Sequence, residues 1–261
     1  MSGELRTGIG TSTPDSITIR GRSLAGELMG TVTFTEHAFL LAAGRLPTPG
    51  ETRVFDAVLV SLADHGLTAT VLAARLTYLG APESIQGAIA AGLLGGGSVF
   101  LGAGEDTARF LHAGLEGLGP EPDDDALRAA AEDVVAKAVT AGERVPGLGH
   151  PVHKVEDPRT PRLYAIAAEA GLAGTHLRML RHVAAAHREA TGKALPISGA
   201  GAAGAALADM GFRPELARGF AILARAAGLV GHLAEEMADP MAMTLYRDVE
   251  ERARYVTEES L

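Results

Sequence analysis

The sequence predicts a nearly all-α fold, one large helical domain with a smaller helical domain beside it. Hydrophobic residues make up 47% of the 261, yet aromatics are only 4% and tryptophan is absent. A core built mostly of Ala, Leu and Val suits closely packed helices better than an aromatic-rich sandwich. Alternating apolar and polar runs are nearly missing, and Gly and Pro punctuate the chain at helix-length intervals.

Residues 1–16 are small and polar and read as a frayed N-terminus. Ile17 to Gly21 alternates and reads as a short strand. Thr33 and Glu36 have capping-box spacing and open a helix to about Ala43, which stops at Leu46-Pro-Thr-Pro-Gly50. Helices follow over about 51–63, 68–78 and 83–94, where Gly95-Gly-Gly97 breaks the pattern, and then over about 104–117. Gly119 to Asp125 is an exposed connector whose aspartates place negative charge at the start of a helix over about 126–141. Arg144 to Arg162, rich in proline, glycine, histidine and charge, reads as a structured loop. Further helices are expected over about 162–170, 175–191, 200–209, 214–236 and 242–258.

Composition excludes several kinds of chemistry. With no cysteine there is no disulfide scaffold, thiolate metal site or cysteine nucleophile. A net charge of −9 argues against nucleic acid as a partner. No apolar run of bilayer length and no secretion leader is read, so the expectation is a cytoplasmic protein with no membrane partner.

Chemistry concentrates in Val145-Pro-Gly-Leu-Gly-His150-Pro-Val-His-Lys154-Val-Glu-Asp-Pro-Arg159. Over Arg144 to Arg162, the positives Arg144, Lys154, Arg159 and Arg162 against Glu156 and Asp157 give a local balance of 4 − 2 = +2 within an acidic chain, which suits a small anionic ligand. The glycines of Pro146-Gly147-Leu148-Gly149 let backbone N–H groups approach such a ligand. His150 follows directly and suits acid/base work near neutral pH. Arg225 and His232, seven residues apart, share one helix face with Leu229 between them. Arg225 lies in an apolar run and needs a carboxylate partner, either a substrate or an internal acid. His65 stands at a helix-to-helix corner. The remaining histidines show no metal-ligand spacing, so no metal is expected. Gly95-Gly-Gly97 lacks the Lys-Ser/Thr of a phosphate loop, and Ser198-Gly-Ala-Gly201 lacks the frame of a nucleophile elbow.

Over about Ile17 to Glu250 the chain resembles the citrate synthase superfamily, and within it the short citryl-CoA lyase-like proteins. The resemblance rests on Ser61-Leu-Ala-Asp-His-Gly-Leu-Thr68, on Gly95 to Gly104, on Pro146-Gly-Leu-Gly-His-Pro-Val-His-Lys154 with Asp157-Pro-Arg159, and on Ala224-Arg-Ala-Ala-Gly228. It implies a citrate synthase-like fold with a large domain over 17–144 and 214–261 and a small one over 145–213. It implies a cleft between them, a homodimer, and coenzyme A as substrate thioester against Pro146, Gly147, Leu148 and Gly149, with Lys154 or Arg144 near its phosphates. Carried over, His150 hydrogen-bonds the reacting oxygen and His65 shares that pocket. Arg159 and Arg225 clamp the carboxylates of a small keto or hydroxy acid.

Three positions depart from the pattern. Phe100 stands where citrate synthases have a histidine, as in the lyase branch. Ala200 occupies the place of the catalytic aspartate. Asp239 lies where the family often has an arginine. Cleavage of citryl-CoA to acetyl-CoA and oxaloacetate needs an acceptor for the hydroxyl proton, for which His150 is the candidate. It also needs an acid at the enolate carbon, which Ala200 is not; His153 and water are the substitutes within reach of the loop. Three readings result: a CoA-dependent carbon–carbon lyase of citryl-CoA type, a diverged enzyme acting on another acyl-CoA, and a catalytically impaired CoA-binding or partner-subunit protein.

Overall fold

The computed structural model describes residues 4–256, which form eleven α-helices, one π-helical turn and a small three-stranded sheet. The sheet comes first: β1 (Gly10–Ser12), β2 (Ile17–Ile19) and β3 (Arg22–Ser23) pair antiparallel in sequence order, with Thr11 opposite Thr18 and Thr18 opposite Ser23. This corrects the expected fraying of 1–16 within the described part. Thr13-Pro-Asp-Ser16 closes a tight turn, Thr13 N–H donating to Ser16 O at 2.8 Å, and that turn lets Gly10–Ser12 pair. Arg20, at φ 49°, donates from Nε to Leu41 O at 3.2 Å and ties the sheet to the last turn of the first helix, where a cation is favoured. The π-turn, Leu24–Leu28, closes through Met29 N–H to Leu24 O at 2.9 Å.

The helices are α1 (Phe34–Ala43), α2 (Pro49–Ala63), α3 (Ala69–Gly80), α4 (Ile85–Leu94), α5 (Ala103–Leu115) and α6 (Asp124–Thr140), then α7 (Arg159–Glu169), α8 (Thr175–Thr191), α9 (Gly199–Asp209), α10 (Pro214–Ala238) and α11 (Ala242–Arg252). Thr33 and Glu36 form the expected capping box. A second one, Thr48 with Glu51, starts α2 at Pro49, because proline at the first helical position costs no hydrogen bond. Helix α7 starts at Arg159 rather than 162, which puts that arginine on its first turn. Helix α11 ends at Arg252, short of the expected 258.

The few aromatics are concentrated. Phe39, Phe55, Phe212 and Phe220 meet at centroid distances of 4.8–5.9 Å where α1, α2 and α10 converge, all edge to face except the tilted pair Phe55–Phe212. That cluster continues through α5, α6, α7, α8 and α9 as one apolar core. A second, smaller cluster of Val71, Ala74, Ala88, Leu229 and Leu233 joins α3, α4 and the later half of α10. Helices α7–α9, within the expected small domain 145–213, share the larger core with α2, α5 and α6.

Helix α10 packs against α2, α3, α4, α5 and α9 and so links both clusters. It also corrects the reading of apolar runs: α10 has the length and apolar composition to cross a bilayer. Its Leu, Ile, Val and Phe residues supply most of that hydropathy, while alanine and glycine between them let the helix lie close to its neighbours. Helix α9 is the extreme case, with Gly199 and every residue from Gly201 to Ala208 buried. A Cβ on Gly204 would stand 2.1 Å from Gly104 O in α5, and one on Gly201 would stand 2.6 Å from Gly147 Cα.

Candidate active site

Three segments converge: the α2–α3 corner, the loop between α6 and α7, and the later half of α10. At the corner, Asp64 ends α2 and accepts from Gly66 N–H at 2.8 Å, with Gly66 at φ 75°. This compact turn holds His65 toward the loop.

The loop is pinned by its own backbone. Gly147 and Gly149 have φ of 85° and 81°, a region that strains residues bearing a Cβ. Leu148 forms a bridge with Ile197, Gly149 N–H donates to Pro196 O at 2.7 Å, and Gly147 O accepts from Ser198 N–H at 2.8 Å. The run expected to meet a ligand is thus held against the segment that leads into α9. Pro146, Leu148 and Gly149 are half-buried and Gly147 is buried. Lys154 is exposed, with its ammonium 3.2 Å from His150 O; Arg144 is exposed as well.

His150 Nδ1 accepts two backbone hydrogen bonds, from Val152 N–H and His153 N–H, each at 3.1 Å. A neutral imidazole that accepts at Nδ1 carries its proton on Nε2. Burial pushes the His150 pKa below its ordinary value; Asp157 opposes this, while His153, Arg159 and His65 add to it. His150 is therefore a neutral donor toward the pocket, which changes the role expected for it as acceptor of a hydroxyl proton.

His65 and His153 meet Nε2 to Nε2 at 3.2 Å. The His150 ring stacks on His153 at 4.5 Å and lies 5.1 Å from His65. One ligating atom from each ring lies within 4.8 Å of the others, a grouping that corrects the reading from sequence spacing alone. The set is a poor cation cradle: a metal-ligating histidine usually donates its second N–H to an acceptor, whereas His150 Nδ1 faces two donors.

The arginines are held differently. Asp157 is fully buried and accepts from Arg159 Nε at 2.9 Å, Arg159 Nη2 at 2.7 Å and Gly199 N–H at 2.7 Å. Burial raises the Asp157 carboxyl, but these donors outweigh it and hold the pKa far below the usual range. Arg159 Nη1 donates to Ser61 O at 3.2 Å, so this guanidinium already has an internal counter-ion and a partner in α2. Gly199 makes room for it, since a Cβ there would lie 2.4 Å from Arg159 Nε.

Arg225 is 5% exposed, and its Nε and Nη1 have no hydrogen-bond partner. Asp64 Oδ2 stands 3.6 Å from Nη1, close enough for attraction and too far for a hydrogen bond. Burial depresses the Arg225 pKa, Asp64 opposes that, and the field of Arg159 adds to it.

His232 is engaged at both ring nitrogens. Its Nε2 pairs with Asp64 Oδ2 at 2.8 Å and its Nδ1 with Arg75 Nη2 at 3.0 Å. Arg75 is 2% exposed and also binds Glu235 and, at 2.9 Å, the buried Glu236, which caps α11 through Ala242 N–H at 2.9 Å. Sequence reasoning did not assign Asp64, Asp157, Arg75 or Glu236. The usable signal was Asp64 beside His65 and Asp157 two residues before Arg159. Phe100, half-exposed between α4 and α5, and Ala200, on the first turn of α9, lie outside the described contacts that join the histidines and arginines. Asp239 is exposed at the end of α10.

Comparison with known proteins places the chain and its fold. The family described as citrate synthase, C-terminal domain, matches residues 47–247. A citrate synthase of Haloferax volcanii is 28% identical over 84% of this chain and 54% of its own length. A putative citrate synthase 2 of Mycobacterium tuberculosis is 33% identical over 48% of this chain and 31% of its own. The chain therefore spans about half or less of the curated relatives it matches. The structure of citryl-CoA lyase from Hydrogenobacter thermophilus superposes with a TM-score of 0.86 at 33% identity, covering 97% of this chain and 95% of that one. An ATP citrate lyase from Methanothrix soehngenii, solved in complex with citrate and coenzyme A, superposes with a TM-score of 0.78 at 23% identity over 100% of this chain and 43% of its own. That last likeness speaks to the fold.

Proposed function

The chain belongs to the citrate synthase family, and from that premise we propose that it is a CoA-ester carbon–carbon lyase that cleaves citryl-CoA to acetyl-CoA and oxaloacetate. The observation that carries the reading is the near end-to-end match with a citryl-CoA lyase, which covers 95% of that chain. Arg225 supports it independently: a buried cation with two donor atoms lacking partners is built to receive a carboxylate.

In this reading the four-carbon part lies between Arg225 and the imidazoles, with His150 Nε2–H donating to its reacting oxygen. Because His150 is neutral and held by two backbone N–H groups, the donor is already oriented when the substrate arrives. Coenzyme A lies along Pro146–Gly149, with Lys154 or Arg144 near its phosphates. As the bond between the hydroxyl-bearing carbon and the CH2 breaks, the hydroxyl proton leaves, the electron pair passes into the thioester enolate, and a proton returns to carbon. The active form is a homodimer in the cytoplasm; the exposed Met243, Tyr246 and Val249 of α11 are suited to a subunit contact.

A second reading has its own observation. Arg159 is neutralised by Asp157, and Arg225 stands beside Asp64, so the pocket offers less free positive charge than two arginines suggest. That favours an acyl-CoA with fewer carboxylates. Turnover of citryl-CoA, citramalyl-CoA and malyl-CoA, followed as free oxaloacetate, pyruvate and glyoxylate, separates the readings. Preference for citryl-CoA supports the first, preference for either of the others supports the second, and no turnover refutes both.

A further inference from the structure

We propose that His65 and His153 form a proton relay and that His153 returns the proton to the enolate carbon, the task for which residue 200 has no acid. This rests on the lyase reading above. The Nε2–Nε2 distance of 3.2 Å leaves room for one proton between the rings, so one imidazole donates and the other accepts. Each ring then keeps its Nδ1 for exchange, one unprotonated and one carrying a proton. A proton taken up at the first outer nitrogen shifts the bridging proton across and frees the one on the second.

In the lyase reading the two rings would flank the bond to be broken. His65 follows Asp64 at the α2–α3 corner, the side on which Arg225 would hold the keto acid. His153 belongs to the same loop as the glycine run, the side on which the thioester would lie. His150 lies against both rings but is committed as a donor by Val152 and His153 N–H, so it does not compete for the hydroxyl proton.

The step balances. The hydroxyl O–H breaks and its proton goes to the His65 side. The carbon–carbon bond breaks and its electron pair enters the thioester enolate. The enolate carbon takes the proton released by His153, giving acetyl-CoA. The relay ends with its hydrogen bond reversed and resets by exchange with water, since all three rings are only partly buried. The charged and titratable groups around the pair are His150, Asp157 and Arg159 from the loop and α7, Asp64 from α2, and Arg225 and His232 from α10.

The test compares wild type with His153→Gln and His153→Asn, in which an amide keeps a hydrogen bond to His65 but cannot relay a proton. Citryl-CoA cleavage is measured in H2O and D2O across pH 5.5–9, and deuterium entry into the acetyl-CoA methyl is followed by NMR. The expected result is a fall in kcat of about 10²–10⁴-fold, with KM within about threefold, a parallel fall in methyl exchange, and loss of one ionisation from the pH profile of kcat. A kcat within fivefold of wild type in either variant overturns the relay while leaving the lyase reading intact. A wild-type protein that turns over no CoA ester overturns both. Should both variants unfold, 15N NMR of wild-type imidazoles decides: a proton shared between His65 and His153 supports the relay, and two Nε2 atoms with separate partners refute it.

Discussion

Gly204 rests on Gly104 so closely that a Cβ on Gly204 would stand 2.1 Å from the Gly104 carbonyl oxygen and 2.8 Å from its carbon. Neither contact is with a flexible side chain, so α9 would have to move away from α5. Gly204→Ala is expected to cost about 3 kcal/mol or more, the upper end of overpacking penalties. In Gly104→Ala the nearest contact is 3.3 Å, and the helix gains about 1 kcal/mol in propensity, so the change should be near neutral. Urea unfolding of the two variants checks the asymmetry.

Gly201 transmits the same crowding to the loop, since its Cβ would lie 2.6 Å from Gly147 Cα and 2.8 Å from Gly147 O. Gly201→Ala should displace the Pro146–Gly149 backbone and weaken coenzyme A binding at least tenfold in calorimetry. Unchanged affinity would show that this backbone does not line the CoA site.

For Arg225 the expectation separates stability from binding. Replacing a buried, poorly paired cation by an apolar side chain is often neutral or stabilising. Arg225→Leu should therefore melt at or above the wild-type temperature. It should also lose the stabilisation that millimolar oxaloacetate gives the wild type, about 1–3 kcal/mol if the ligand exceeds its Kd by roughly 10- to 100-fold. A clear drop in melting temperature without ligand would mean that Asp64 alone is an adequate partner.

Arg75 is the contrasting case, because Glu235, Glu236 and His232 all pair with its terminal nitrogens and only its Nε lacks a partner. Arg75→Met leaves Glu236 buried and removes the partner of His232 Nδ1. Such broken buried pairs cost about 3–5 kcal/mol. Arg75→Met combined with Glu236→Gln should recover part of the loss, measurable as a coupling energy in a double-mutant cycle.

The pH dependence follows from His150. Its folded pKa lies below the ordinary 6.5, so between that value and 6.5 the unfolded chain binds a proton that the folded chain refuses. Its contribution to stability is complete above pH 6.5 and is lost as pH falls through the folded value. The acid limb attributable to His150 in kcat/KM should have its midpoint below 6.5, and 15N NMR at pH 7 should show the proton on Nε2. A proton on Nδ1 would reverse the role assigned to this residue.

Much of the helical plan was legible because its signals are local. Thr33 and Glu36 mark the start of α1 by chemistry within four residues, and the Gly95-Gly-Gly97 break marks the end of α4. Alternation at Ile17–Ile19 marked β2, but its partner β1 was missed because Gly10–Ser12 is small and polar with no alternation to register. Within the site, Arg225 was legible as a charge in an apolar helix. The imidazole cluster was not, because His65 and His153 are 88 residues apart and meet only when α2 packs beside the loop. The pairing of Asp157 with Arg159 also escaped notice, since two residues of separation face each other only once Arg159 turns back over Gly199.

Helix α9 contains only Gly and Ala apart from Leu207 and Asp209. Nine of its eleven residues thus have no rotamer to lose on folding, so ordering this helix costs almost no side-chain entropy. The same poverty means that, from Gly199 to Ala206, nothing along this wall hops between rotamers on thermal timescales. Its relief is set by backbone alone, and the surface it presents to the loop stays the same shape as temperature rises, until the helix itself departs.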